Sequence, residues 1–387
     1  MALIAPPLAL YVHMPWCVKK CPYCDFNSHG LRGEPPYAAY VDALLADLDA
    51  DRADFDGALD GRHIVSVFFG GGTPSLFAPE LIARFLDGAR TRLPFVDHCE
   101  ITLETNPGTV EHGRFDGYLA AGVNRISFGI QSFDDDKLKR LGRIHSATEA
   151  EAAVKSAQDA GFDNINLDLM YALPEQSLLG ALADVDRAVA LEPTHISHYQ
   201  LTLEPNTAFA AHPPPLPDDD AAWAMQEACE VRLAEAGYAQ YEISAYAKPQ
   251  RQCEHNLNYW RFGDYLGIGA GAHGKVTDAA RQQVLRRWKT RHPNAYLEAG
   301  GRVPRIGGHA AVATAELTFE YMLNALRLID GVPADDFIAR TGLPLDRIAA
   351  PLADGQRRGW LESDPKRLGT TPLGQRFLND VIASFLE

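Results

Sequence analysis

The sequence predicts an α/β protein: a partial, open βα barrel of about six parallel strands, followed by a mostly helical, winged-helix-like C-terminal module. Short β-branched or aromatic runs alternate with longer amphipathic stretches over the first half of the chain, the order expected of βα units around a parallel sheet. Each run is apolar almost throughout, as strands buried on both faces are. The pattern changes near Glu316, beyond which helical periodicity predominates.

The strand-like runs set the predicted order of the barrel. They span residues 8–13, 64–69, 100–105, 125–130, 164–169 and 195–201. Amphipathic stretches predict helices between them, including 37–49, 79–90 and 147–160. Because loops at the carboxyl ends of such strands carry the chemistry of α/β barrels, functional side chains are expected directly after the runs.

The second half of the chain predicts an extension and a terminal module. The proline- and acid-rich stretch AHPPPLPDDD predicts a linker, and it is followed by a helix over 221–236, a strand near 241–245 and a glycine-rich stretch over 263–274. In the module, helices are predicted over 316–328, 333–341, around 345–358 and over 372–386, with strands at 360–362 and 368–371 forming a hairpin. We therefore expect the barrel over 1–210, an extension packed on it over 211–310, and the module over 311–387.

Composition excludes several classes of protein. The net charge of −15 argues against a general nucleic-acid binder, because phosphates require a basic surface. No apolar run reaches the roughly 20 residues of a membrane span, so an integral membrane protein is not expected. The apolar start of the chain is short and lacks a basic lead-in, so no signal peptide is expected. A cytoplasmic protein is the prediction.

Three cysteines within eight residues form the most informative motif. Cys17, Cys21 and Cys24 lie directly after the first predicted strand. Soft thiolates select iron–sulfur clusters, zinc or copper(I), and a closed zinc site would need a fourth ligand, such as His13 or His29. Three thiolates on a four-iron cluster would leave one iron open. The other three cysteines are scattered and are expected to be buried small hydrophobes, which fits a reducing compartment.

The cysteine motif, CxxxCxxC, resembles that of the radical S-adenosylmethionine superfamily. The surrounding LYVHMPWC and CPYCDF resemble the coproporphyrinogen dehydrogenase-like branch of that superfamily. The resemblance implies a [4Fe–4S] cluster on Cys17, Cys21 and Cys24, with S-adenosylmethionine chelating the open iron. It also implies that the reduced cluster can cleave S-adenosylmethionine to a 5′-deoxyadenosyl radical, with the protein supplying position and protection.

The same resemblance assigns residues to S-adenosylmethionine. A glycine run, FGGGTP, follows the second strand, where glycines let the backbone approach a ligand; a tight turn is the ordinary alternative. In the family this segment meets the methionine amino group, and residues at later strand ends surround the carboxylate, ribose and sulfonium. The matching residues here are Gly71, Gly72, Thr73, Glu104, Gln131, Arg143 and Asp168. Tyr11, before the cysteine loop, and Tyr23, within it, match positions that border the cluster or the cofactor.

One substitution separates this chain from the enzymes of the branch. Coproporphyrinogen dehydrogenases continue the motif to a fourth cysteine, and Phe26 stands at that position here. Their long N-terminal extension is also not expected, since Cys17 lies so near Met1. Both features count against oxidative decarboxylation of coproporphyrinogen III to protoporphyrinogen IX, which remains the alternative function.

A second motif, HNxxYW at residues 255–260, resembles that of the heme chaperones of this branch. It implies heme as cargo, with His255 as a candidate ligand of the iron and Tyr259 and Trp260 able to stack on a macrocycle. A hydrogen-bonded structural histidine is the ordinary alternative for His255, and Cys253 is a second candidate ligand. The basic run at 286–289 could meet propionates, although a solvated helix face is the simpler interpretation.

The resemblance therefore favours a protein that holds heme and passes it to hemoproteins, including membrane-associated respiratory enzymes, with the cluster and S-adenosylmethionine supporting or gating transfer. Whether the radical is used in catalysis is left open. A winged-helix-like module raises DNA binding as a rival role, but its acidic residues, such as Asp335 and Asp336, favour packing or partner docking.

Overall fold

The fold is built on a twelve-stranded, mostly parallel sheet, and the candidate site residues of the barrel lie in its strands or in the loops that connect them. The computed structural model describes residues 2–55, 57–109, 114–299 and 305–386. The strands, in chain order, are β1 (Leu8–Met14), β2 (Trp16–Cys17), β3 (His29–Gly30), β4 (Ile64–Gly71), β5 (Phe95–Thr105), β6 (Arg125–Gln131), β7 (Ile165–Tyr171), β8 (His195–Gln200), β9 (Ala239–Glu242), β10 (Ala245–Ala247), β11 (Asp264–Ile268), β12 (His273–Asp278), β13 (Gln283–Lys289), β14 (Ile306–Ala311), β15 (Val332–Pro333) and β16 (Arg367–Leu368).

Helices follow most of the parallel strands and then fill the C-terminal part. The α-helices are α1 (Tyr37–Asp54), α2 (Pro79–Arg92), α3 (Arg114–Ala120), α4 (Asp135–Arg140), α5 (Ala147–Asp159), α6 (Leu178–Ala190), α7 (Ala208–Ala211), α8 (Asp219–Glu235), α9 (Glu254–Trp260), α10 (Pro293–Glu298), α11 (Thr314–Ala325), α12 (Ala334–Thr341), α13 (Ala349–Arg357), α14 (Pro372–Arg376) and α15 (Leu378–Ala383). Local sequence fixes several starts: Ser146 and Glu149 form a capping box on α5, and the side chain of Asp134 caps α4.

The strand order is β14-β13-β12-β11-β1-β4-β5-β6-β7-β8-β10-β9, an open sheet whose end strands are β14 and β9. The predicted open barrel is confirmed: β1 and β4 to β8 are parallel neighbours in chain order. The glycine-rich stretch adds a further parallel strand, because β11 pairs with β1. Strands β12 to β14 and β9 to β10 extend the two edges in antiparallel pairing.

Two large apolar cores and one small cluster, formed by Leu141, Met170, Leu173, Leu201 and Phe209, hold the described part of the fold together. The larger fills the space between the parallel strands and helices α1, α2, α3, α5, α6 and α8. The second joins α11, α12 and α15 to α9, β9, β10 and β13, so the C-terminal helices pack on the extension of the sheet. The C-terminal part is mostly helical, as predicted. The expected hairpin is reduced to one bridge between Leu361 and Thr370, and β16 pairs instead with β15.

The basic run at 286–289 is a strand, not a helix face. It forms most of β13, in which alternate side chains point to opposite sides. The ammonium of Lys289 lies 2.7 Å from Asp47 and 2.6 Å from Asp51, and Arg287 lies 2.7 Å from Asp51. The prediction of a solvated helix face was wrong because these cations are paired with buried carboxylates of α1.

Candidate functional site

The carboxyl ends of the parallel strands meet at one cavity, which the cysteine-bearing loop covers. We call it the cysteine cavity. Its lining residues are Cys17, Lys19, Cys21, Tyr23, Cys24, Phe26, Ser28, Gly71, Gly72, Thr73, Glu104, Thr105, Asn106, Ser127, Gly129, Gln131, Arg143, Asp168 and Tyr199. Every residue that the sequence assigned to the cluster or to S-adenosylmethionine lines it, except Tyr11, which lines the neighbouring cavity described below.

The cysteine loop presents three half-buried thiols, none of which is in a disulfide. Its turn is closed by a hydrogen bond from the Cys24 N–H to the Cys21 carbonyl, 3.2 Å long. Burial raises the pKa of Cys17 and of Cys24, and hydrogen bonds from Thr73 to Cys17 and from Ser28 to both thiols act against that rise. Since a metal takes the thiolate, loading this loop would release protons. In the described ranges no three histidine, cysteine or acidic side chains are grouped closely enough to hold a single metal ion.

The glycine run brings the backbone against the cysteine loop. Gly72 donates to the Met14 carbonyl at 2.8 Å, and Thr73 donates to the Trp16 carbonyl at 2.8 Å. A Cβ atom on Gly72 would lie 2.5 Å from the Trp16 oxygen, and one on Gly71, whose φ is +108°, would lie 2.4 Å from the His13 ring. Only glycine allows this approach, so the run packs closely against the cysteine loop, and we call it the glycine cradle.

Two half-buried carboxyl groups, those of Glu104 and Asp168, line the cavity beside the glycine cradle. Glu104 accepts from the Gly71 N–H at 3.1 Å, and burial, followed by the charge of Asp168, raises the pKa of Glu104 to about 8. Asp168 accepts from Asn166 at 2.8 Å and from Ser127 at 3.3 Å, and burial raises its pKa. A cationic ligand would favour the ionised form of both groups, which suits an ammonium or a sulfonium.

A cation and an amide complete the cavity. Arg143 donates to Cys21 Sγ at 3.6 Å and to the Gly129 carbonyl. Burial disfavours its charge, but Tyr23 and Cys21 outweigh burial and leave the pKa of Arg143 raised. Gln131 has a φ of +75° at a bulge of β6, and its side-chain oxygen accepts from the Tyr199 hydroxyl at 2.8 Å. The cysteine cavity thus combines thiols, a guanidinium, carboxyl groups and the glycine cradle. These groups fit an iron–sulfur cluster and a zwitterionic sulfonium such as S-adenosylmethionine.

A second, larger cavity of about 900 Å³ adjoins the first. We call it the aromatic cavity. Its lining residues are Tyr11, His13, Phe26, Asn27, Gly71, Glu104, Tyr259, Tyr265, Gly271, His273, Trp288 and Arg291. Phe26, Gly71 and Glu104 line both cavities, so a ligand in one lies beside a ligand in the other. The ring of Phe26, at the position of the fourth cysteine, is 59% exposed. Aromatic walls around a volume of this size suit a flat organic ligand.

His255 lies beneath the aromatic cavity and does not line it. Its Nδ1 is hydrogen-bonded to the Ser66 hydroxyl at 2.9 Å, its ring stacks on Phe68 at 5.0 Å between centroids, and the Tyr259 ring meets it edge-on at 4.9 Å. Burial, with a smaller effect of Arg125, lowers the pKa of His255 to about 3. Its Nε2 has no hydrogen-bond partner among the described residues. The HNxxYW motif therefore brings Tyr259, and not His255, to the cavity.

Cys253 is also buried, and its Sγ donates to Glu100 Oε1 at 3.4 Å. Cys99 and Cys229 are buried as predicted.

Sequence reasoning overlooked Tyr199, His273 and Arg291. Tyr199 lies in the sixth strand-like run and could have been found by its place near the carboxyl end. His273 lies within the glycine-rich stretch, which was the available signal. Arg291 follows β13, whose misassignment as a helix hid it.

Comparison with known proteins identifies the class to which the chain belongs. The profile of the Radical SAM superfamily matches residues 11–182, which contain the three cysteines and the glycine cradle. The profile of the HemN C-terminal domain matches residues 312–377. The structure of the Escherichia coli coproporphyrinogen III oxidase HemN, a radical SAM enzyme, superposes with a TM-score of 0.82 at 22% identity, covering 99% of this chain and 90% of that one. The class is thus radical S-adenosylmethionine proteins, which implies a [4Fe–4S] cluster and S-adenosylmethionine.

Relatives of full length narrow the assignment. The heme chaperone HemW of Escherichia coli K12 is 51% identical over 381 residues, which are 98% of each chain. The HemW proteins of Haemophilus influenzae and Mycobacterium tuberculosis H37Rv are 49% and 36% identical, over 98% of this chain and 98% and 95% of theirs. The chain belongs to the HemW family. Within its described ranges, the helices are all too short or too polar to cross a membrane.

Proposed function

We propose that this chain is a heme chaperone that holds heme and passes it to recipient hemoproteins, with the cluster and S-adenosylmethionine supporting or gating transfer. The observation that carries the proposal is identity of 51%, spread over 98% of both chains, with a protein named heme chaperone. Phe26 in place of a fourth cysteine supports the same function. So does an aromatic cavity of about 900 Å³ that adjoins the cysteine cavity.

The cofactors would be held by the residues of the cysteine cavity. Cys17, Cys21 and Cys24 would bind the cluster. S-adenosylmethionine would be held by Gly71, Gly72, Thr73, Glu104, Gln131, Arg143 and Asp168, with Tyr11 and Tyr23 at the border. When bound, the cluster with S-adenosylmethionine supplies one-electron reductive chemistry. The protein's own part is positional: the glycine cradle lets the backbone lie close to an amino group, and Arg143 keeps a positive charge beside Cys21.

Heme would occupy the aromatic cavity. Tyr259 of the HNxxYW motif lines that cavity and can contact a macrocycle face. The neutral ring of His255 has an Nε2 that no described residue hydrogen-bonds, which supports its candidacy as an iron ligand. Ligation by His255 would require the Tyr259 ring to move, because that ring lies edge-on to the His255 ring at 4.9 Å.

The wider assignments are part of the same proposal. We divide the chain into a barrel over 1–210, an extension over 211–310 and a terminal module over 311–387, which packs on the extension and offers a surface for partners. We place the protein in the cytoplasm. The recipients we propose are hemoproteins that include membrane-associated respiratory enzymes. Nucleic acid is not a partner, in keeping with the net charge of −15.

An anaerobic assay tests the proposal against its rival. Cluster-reconstituted protein is expected to bind heme in near-stoichiometric amount and to develop a heme absorption band. It should then transfer that heme to an apo-hemoprotein. The same protein, given coproporphyrinogen III, S-adenosylmethionine and a reductant, is expected to form no protoporphyrinogen IX. Formation of protoporphyrinogen IX, or failure to bind heme, would show that the chaperone assignment is wrong.

A further inference from the structure

Three histidines surround the aromatic cavity, and they differ in what their ring nitrogens already contact. His13 donates from Nε2 to the Asn27 carbonyl at 2.9 Å and accepts at Nδ1 from the Tyr11 hydroxyl at 2.9 Å. His255 is buried and does not reach the cavity. His273 lines the cavity, is exposed, and makes no ring hydrogen bond to any described residue. An iron ligand needs one free, accessible nitrogen, and His273 alone among these three provides it.

A tight backbone turn fixes His273 at the cavity wall. The turn joins β11 to β12 and contains two glycines with positive φ, Gly269 at +101° and Gly271 at +80°. A Cβ on Gly267 would lie 1.8 Å from the His273 carbonyl oxygen, so the two strands touch there. Asn27 donates from Nδ2 to the Ala270 carbonyl at 2.9 Å. The glycine-rich stretch thus fixes the position of the His273 backbone.

The His273 ring is oriented by its neighbour across the strand pair. His273 lies directly opposite Trp288 in the β12–β13 register. The two rings are nearly parallel, with an interplanar angle of 24° and centroids 6.4 Å apart. Burial, with Arg286 and Arg291, lowers the pKa of His273, so the ring is neutral at neutral pH. A neutral, stacked imidazole at a cavity wall is ready to ligate a metal.

The charge of the cavity matches an anionic macrocycle. Arg291 and Glu104 are the lining residues whose side chains can carry a full charge at neutral pH, and the pKa of Glu104 is raised to about 8. Without a cationic ligand, Glu104 is therefore mostly neutral and Arg291 leaves the cavity positive. A guanidinium is the side chain best suited to a carboxylate. Tyr259, Tyr265 and Trp288 add aromatic surface for a porphyrin face.

We propose that His273 is the axial ligand of heme in the aromatic cavity and that Arg291 binds a heme propionate. The proposal rests on the proposed function, since it needs heme to be the cargo. It assigns the HNxxYW motif a different part: His255 supports Tyr259 from below, and Tyr259 contacts the macrocycle.

Heme titration of variants tests this assignment. Cluster-reconstituted wild type, His273→Ala, His273→Gln, His255→Ala and the control His212→Ala, an exposed histidine outside the cavity, are titrated with ferric heme. His273→Ala and His273→Gln are expected to raise Kd about tenfold or more and to change the spin state seen by electron paramagnetic resonance. Added imidazole should restore the wild-type spectrum of His273→Ala. His212→Ala should match wild type.

The outcomes separate this inference from the proposed function. If wild type binds no heme, both are wrong. If wild type binds heme and both His273 variants keep its Kd and spectrum, the assignment of His273 as the ligand is overturned. Loss of heme binding in His255→Ala would then assign the ligand role to His255. Iron content and the cluster absorbance of each variant show that the fold is retained. Arg291→Ala should weaken binding of heme but not of heme dimethyl ester; equal weakening of both would overturn the propionate contact.

Discussion

The stability of the protein depends on pH through Glu104 of the cysteine cavity, because the folded chain retains the proton of this carboxyl group. Its pKa is raised to about 8 from an ordinary 4.5, first by burial and then by Asp168. Between these values the unfolded chain has released the proton and the folded chain still holds it. The free energy of unfolding therefore falls as pH rises through this window.

Glu104→Gln is accordingly expected to flatten the decline in unfolding free energy between about pH 5 and pH 8, measured by urea denaturation of protein without cofactors. The control is Glu149→Gln: hydrogen bonds from Ser146 lower the pKa of Glu149, so its contribution is lost only as pH falls through that lower range. If the unfolding free energy of Glu104→Gln declines with pH as steeply as that of wild type, Glu104 does not hold a proton in this pH range.

At the scale of single residues, the sequence predicts which side chains come together where one local pattern decides the outcome. The three cysteines and the glycines at 71 and 72 reach one cavity because short loops after adjacent parallel strands meet there. The sequence does not predict which side chain on a helix face reaches the cavity. His255 and Tyr259 are four residues apart on α9, so they share one face, and spacing alone does not tell which ring covers the other. The structure places Tyr259 at the cavity and His255 below it.

At the scale of elements, β13 shows why its basic residues were wrongly predicted to form a solvated helix face. Arg287 and Lys289 are two residues apart in a strand and point to the same side, where Asp47 and Asp51 of α1 are one helical turn apart. The pairing is between residues more than 230 positions apart. No local pattern predicts such a contact, so a basic run was taken for a solvated face.

Lys289→Met should lower the free energy of unfolding by about 3–5 kcal/mol, because it leaves two buried carboxylates without their shared cation. Lys155→Met is the matched control. Lys155 pairs with Asp159 on the surface of α5, with side chains 67% and 64% exposed, and its loss should cost less than about 1 kcal/mol. Chemical denaturation of both variants measures the difference. Similar small losses would show that the buried network contributes no more than a surface pair.

At the scale of the whole molecule, the C-terminal helices and the sheet extension share one core. Phe337 of α12 packs edge-on against Tyr321 of α11 at 5.3 Å, and Tyr321 packs against Phe262, just after α9, at 5.6 Å. The sequence predicted the helices of this region from their periodicity. It could not predict the shared core, because which faces meet depends on long-range packing.

Phe337→Ala is expected to destabilise the protein by about 3–5 kcal/mol and to reduce hydrogen-exchange protection in α9 as well as in α12. Leu373→Ala, at a side chain that is 44% exposed, is the control and should leave both unchanged. Loss of protection confined to α12 would mean that the C-terminal helices unfold independently of the extension.

The position of β1 in the sheet has a consequence for synthesis on the ribosome. β1 lies between β4 and β11, so one of its edges stays unpaired until Asp264–Ile268 has emerged. Asn27, just beyond the cysteine loop, gains its anchors only when Ala270 and Arg291 are present. A nascent chain therefore carries three thiols on a loop that lacks these two anchors for most of its translation. We expect iron–sulfur insertion to follow release of the complete chain, which makes delivery of the cluster a post-translational step.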